Sequence, residues 1–128
     1  MRKFFTLLVM SDMFGTSAMA QAVIKFEKTI HDFGQFDKNN IQTYEFVFVN
    51  SGDKPLVIHQ AYGSCGCTVP QFSKDPIEPG KKGVIKVSFN GKGQFNGRFK
   101  KSINIRSNAS NALTRIYIEG VVSEKPKS

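Results

Sequence analysis

Residues 84–90 read VIKVSFN, with Ile85, Val87 and Phe89 on one parity and Val84, Lys86 and Ser88 on the other. A period of two is the signature of a β-strand, whose successive side chains point to opposite faces. The alternation recurs, and this constrains the fold more than any other feature. In RFKKSINIRS (98–107), Phe99, Ile103 and Ile105 oppose Lys100, Ser102, Asn104 and Arg106; in residues 112–122, Ile116 and Ile118 oppose Arg115, Tyr117 and Glu119. AVIKFE (22–27), IQTYEFVFV (41–49) and PLVIHQAY (55–62) supply three further apolar runs. Pro55 suits the start of a strand, where no ladder donor is required. Turn signals punctuate the series at intervals of roughly 8–12 residues. They are Asn50-Ser51-Gly52-Asp53, then Pro79-Gly80, the pair a type II turn requires, and then Gly91, Gly93 and Gly97. Residues 69–83, with their prolines and glycines, read as a loop or a short edge strand. No helical repeat of apolar residues follows the first twenty positions. The expectation is an all-β domain over residues 21–122, an immunoglobulin-like antiparallel β-sandwich of about seven strands. The chain carries 12 phenylalanines and no tryptophan, so phenylalanine rings are expected to fill the core.

The two ends read differently. Arg2 and Lys3 precede FFTLLVM, and Ala18-Met19-Ala20 places small residues two apart, the layout of a secretory signal peptide over residues 1–20. Asp12 interrupts the apolar stretch well short of the ~20 residues a membrane span needs. The mature chain is therefore expected in the periplasm or secreted, without a transmembrane segment. SEKPKS (123–128) reads as a solvated tail. The formal net charge is +8. In an exported chain that charge meets proteins and envelope components, so the expected partner is one of these and not a nucleic acid. Lys86, Arg98, Lys100, Lys101, Arg106 and Arg115 are candidates for a basic outer face, although charge on strands also deters edge-to-edge association.

Both cysteines lie in SCGCT (64–68), as Cys65 and Cys67. On a flat strand their Cα atoms would sit about 6.6–6.8 Å apart, at the upper edge of the disulfide range, and Gly66 permits a tighter fold. Three roles are open. The pair is a structural unit, oxidised or as buried thiols; or a redox pair, since strained or exposed disulfides are the oxidising ones; or a soft copper(I) site, with His59 as a possible third group. Export favours the Cys65–Cys67 disulfide.

Other motifs fail on inspection. HDFG (31–34) contains the Asp-Phe-Gly of kinases in a chain far too short for one. It reads instead as a turn in which Asp32 bonds its own backbone, Phe33 plugs the core and Gly34 takes positive φ. GKGQFNG precedes a strand and departs from dinucleotide-loop spacing. Asn108-Ala109-Ser110 matches a glycosylation sequon, a triplet common by chance. No nucleophile–base–acid order and no paired carboxylates stand out, so no catalytic residue, cofactor or metal is expected.

HDFGQFD (31–37), YEFVFVNSGDKPLVI (44–58), SCGCT, IEPGKKGVIKVSF (77–89) and GRFKKSINIRSN (97–108) together resemble an uncharacterised bacterial family, common in Bacteroidetes, with a Cys-Gly-Cys-Thr motif. The resemblance runs through roughly residues 22–122. It implies the fold of the ASPM–SPD-2–Hydin and major sperm protein domains, which are immunoglobulin-like sandwiches. It brings no known activity. Its look-alikes serve mostly as interaction or scaffolding modules, which by analogy implies a non-enzymatic binding role.

Overall fold

The computed structural model describes residues 20–124. The segment read as a signal peptide lies outside the described residues apart from Ala20, as do residues 125–128 of the tail. Eight strands follow one another: β1 (Ile24–Phe26), β2 (Ile30–Asp37), β3 (Gln42–Asn50), β4 (Ile58–Gly63), β5 (Thr68–Gln71), β6 (Lys82–Phe89), β7 (Gly97–Ser107) and β8 (Leu113–Ser123). They form two four-stranded sheets, ordered β1-β3-β6-β5 and β2-β8-β7-β4. The expected all-β, immunoglobulin-like sandwich is the fold, with no helix among the described residues.

The period-two faces fall as the alternation requires. Ile85, Val87, Phe89, Ile103, Ile105, Ile116 and Ile118 are all fully buried between the sheets, with Phe46, Phe48, Leu56 and Ile58. Each such side chain contributes roughly 1.5–3 kcal/mol relative to exposure. Phenylalanines close one end of this core. Phe89 stacks on Phe99 with centroids 4.3 Å apart, and Phe36 meets both edge-on at 6.0 and 5.9 Å.

Two expectations are corrected. HDFGQFD lies within a strand, β2, and is not a free-standing turn. The local chemistry is nevertheless the one read from its residues. The Gly34 amide donates to Asp32 Oδ1 at 2.8 Å, Gly34 has φ 74°, and the register with β8 shifts between Asp32 and Gln35. The Asx geometry makes a bulge, which a strand absorbs by bending. The second correction is that the pairing is not wholly antiparallel, because β2 runs parallel to β8. The chain leaves β1 in one sheet, crosses at residues 27–29, and continues in the other sheet. β1 is antiparallel to β3, and β2 is the strand that the count of about seven omits. At the far end β8 extends to Ser123, whose hydroxyl donates to the Phe36 carbonyl.

Asn50 is the core's polar anchor. It is fully buried, and its amide nitrogen donates to the carbonyls of Lys54 (2.7 Å) and Ile77 (2.9 Å) while its oxygen accepts from Gly52 (2.9 Å) and Val23 (3.3 Å). One side chain thus ties the turn after β3 to the loop before β6 and to the start of β1.

Candidate functional site

β4 ends at Gly63 in one sheet and β5 begins at Thr68 in the other, so residues 64–67 carry the chain across an edge of the sandwich. Backbone bonds pin this crossing on both sides. Ser64 N–H donates to Ser102 O on β7 at 3.0 Å, Asn90 N–H donates to Cys67 O at 2.9 Å, and Thr68 N–H closes a turn onto Cys65 O at 3.2 Å. The turn draws the Cα atoms of Cys65 and Cys67 to 5.3 Å, well inside the disulfide range, with their sulfurs at bonding distance. Both cysteines are half-buried, but Cys67 packs against the hydrophobic core whereas Cys65 does not. The space a Gly66 side chain would take is empty, so the outer rim of the turn is open.

Thr68 is the residue that sequence reasoning passed over. It is buried, and its Oγ1 lies 3.8 Å from Cys65 Sγ and 3.7 Å from Cys67 Sγ. Its register opposite Phe89 turns it inward beneath the sulfurs. Gly63 is its counterpart: a Cβ there would stand 2.6 Å from Thr68 O and 2.9 Å from Thr68 Cβ. Only the parity of β5 pointed to an inward Thr68, and no local signal marked Gly63.

His59 is not brought to the cysteines. It is exposed in the bulge between Ile58 and Gln60, at the opposite end of β4 from the turn. At ~3.3 Å per strand residue, Gly63 alone is about 13 Å further along. Among the described residues, no three His, Cys, Asp or Glu side chains gather in a group able to hold a metal ion. The basic residues divide as well. Lys86 belongs to one sheet, whereas Arg98, Lys100, Arg106 and Arg115 are exposed on the other. There Lys100 Nζ sits 4.9 Å from the Tyr117 ring centre and Arg115 Nε donates to Asn104 Oδ1 at 2.7 Å. Lys101 is half-buried. The sequon asparagine is committed to the fold: Asn108 Nδ2, the atom a glycan would occupy, donates to Pro55 O.

A second feature lies on the opposite edge. β1 pairs with β3 only from Phe48 to Asn50, with one further bond from Glu27 N–H to Val47 O. Asn50 N–H donates to Lys81 O on the β6 side, so by alternation the backbone groups of Val47, Glu45 and Thr43 face away from β6. Those of Glu45 and Thr43 therefore point to a sheet edge that no strand covers among the described residues. Behind this edge His31 stacks on Tyr44 with centroids 3.7 Å apart and meets Phe33 edge-on at 4.8 Å. Lys28 Nζ lies 5.7 Å from the Tyr44 ring centre. Desolvation holds His31 below the ordinary histidine pKa, Lys28 lowers it further, and Asp32 opposes them. Its buried Nδ1 has no hydrogen-bond partner among the described residues.

The family described as "Protein of unknown function (DUF1573)" matches residues 24–122. No curated protein matches the chain. Among solved structures, a protein of unknown function from Porphyromonas gingivalis W83 is similar at TM-score 0.71 and 20% identity, over 84% of this chain and 50% of that one. The present chain thus spans half the length of that protein. The ASH/PapD-like domain 7 of human CEP192 is similar at TM-score 0.65 and 9% identity, over 83% of this chain and 89% of that one. The periplasmic chaperone SfaE is similar at TM-score 0.55 and 10% identity, over 80% and 58%. At these identities the likeness is one of fold.

Proposed function

The chain belongs to this family of proteins of unknown function, and we propose for it a non-enzymatic protein-interaction module that takes up an extended segment of a partner along the open half of β3. The observation that carries the reading is that β1 stops short, so that among the described residues no strand pairs with the N–H and C=O groups of Thr43 and Glu45 beside the His31–Tyr44–Phe33 shelf. Strand addition uses these two elements together: main-chain bonds supply affinity, and pockets for alternate side chains supply selectivity. The fold likeness to PapD-like domains and to a periplasmic chaperone supports an interaction role. The signal-like residues 1–20 support a periplasmic or secreted site of action, and N-terminal sequencing of the protein from fractionated cells tests it by whether the chain still begins at Met1.

The edge is tested by pull-down from an envelope extract with Glu45→Pro and Glu45→Gln. Proline at 45 removes a donor that faces the open edge and leaves the β6 ladder intact. Glu45→Pro is expected to lose the captured partner and Glu45→Gln to keep it. Equal capture by both variants excludes the β3 edge.

A further inference from the structure

We infer that the Cys65–Cys67 turn is a thiol–disulfide exchange site for an external dithiol, in which Thr68 holds the thiolate that leaves. This goes beyond strand capture and rests on a different edge of the molecule. The first ground is that the bridge is a poor staple. It links residues two apart, and a disulfide over so short a loop removes little entropy from the unfolded chain. The crossing it sits in is already fixed by the Ser64–Ser102, Cys67–Asn90 and Thr68–Cys65 backbone bonds. The second ground is access. The space at Gly66 is open, and Cys65 stands off the core against which Cys67 packs.

The third ground is the hydroxyl. Attack by an external thiolate on Cys65 Sγ, the sulfur that stands off the core, breaks the Cys65–Cys67 bond and releases Cys67 as a thiolate beside apolar side chains. Apolar surroundings raise a thiol's pKa and make it a reluctant leaving group. A hydrogen bond to the charged form has the opposite effect. Thr68 Oγ1, 3.7 Å from that sulfur, needs only to turn its proton toward it, and Gly63 leaves the room that keeps Thr68 in place. The second thiolate of the external dithiol then attacks the mixed disulfide at the partner's own sulfur. Cys65 is released, and both cysteines end as thiols. The external dithiol loses two electrons and two protons, and the Cys65–Cys67 pair gains them.

The experiment is reduction of the folded protein by dithiothreitol, followed by acid quench, alkylation and intact mass, for the wild type, Thr68→Val and Thr68→Ser. Far-ultraviolet circular dichroism is recorded alongside. The wild type is expected to be reduced with its strand spectrum intact. Thr68→Val is expected to slow reduction roughly tenfold, and to raise the apparent pKa of the reduced thiols, read from the pH dependence of alkylation, by about one unit. Thr68→Ser, which keeps the hydroxyl, is expected to match the wild type in both. Equal rates and pKa in Thr68→Val, or reduction that occurs only with loss of the strand spectrum, overturns the assignment.

Discussion

At the scale of single residues, the fold depends on side chains whose importance shows only through their partners. Asn50 was legible as part of a turn signal, but its four hydrogen bonds to segments before and after it in the chain were not, because they join Val23, Gly52, Lys54 and Ile77. Asn50→Ala strands buried backbone groups, so chemical denaturation is expected to show a loss of at least roughly 1–3 kcal/mol. Two of the strand glycines, Gly34 and Gly63, give a contrast. Gly34 needs positive φ but has free space, so Gly34→Ala is expected to cost about 1 kcal/mol. At Gly63 an added Cβ meets the Thr68 backbone, and Gly63→Ala is expected to cost more, about 1–3 kcal/mol. Thermal melts of the two variants rank them. His31 contributes a pH term. Its folded pKa lies below the unfolded value near 6.5, so the stability it confers is complete above that value and is lost as pH falls toward the folded one. The melting temperature of the wild type is expected to drop further than that of His31→Phe between about pH 7 and pH 5. Parallel pH profiles would remove the term.

At the scale of elements, the alternating stretches became strands because a period-two sequence can bury one face only by lying in a sheet. β6, β7 and β8 are the clearest cases, with every isoleucine or valine on their inner parity buried from Ile85 to Val87 and from Ile116 to Ile118. β2 was less legible. Its Asp-Phe-Gly step imitates an isolated turn, and only its ladder with β8 shows that the turn chemistry makes a bulge within a strand. The same crossing at residues 27–29 explains both the parallel pairing of β2 and the bare half of β3. A chain that leaves one sheet to finish its run in the other cannot cover the first sheet's edge along its whole length.

At the scale of the molecule, the two sheets share one core in which phenylalanines from both meet, Phe46, Phe48 and Phe89 from one and Phe36 and Phe99 from the other. A domain of this size with a single core is expected to unfold in one step. Phe89 lies at the centre of the aromatic end, against Phe36 and Phe99. Phe89→Ala is expected to remove roughly 3–5 kcal/mol, a large share of a total near 5–15. Urea transitions followed by circular dichroism and by tyrosine fluorescence are expected to shift together. Separate transitions for the two signals would mean that the sheets are stabilised independently.

The sequence by itself determined six of the eight strands, most of their faces, most of the turns between them and the isolation of two cysteines around one glycine. All of these are set by geometry within a few residues of chain. Only the tertiary structure decided which sheet each strand joined, that His59 stands at the far end of β4 from the cysteines, and that Thr68 lies beneath both sulfurs. Those outcomes depend on register and on sheet crossings. They are fixed by pairings between segments far apart in the chain, which no local pattern encodes.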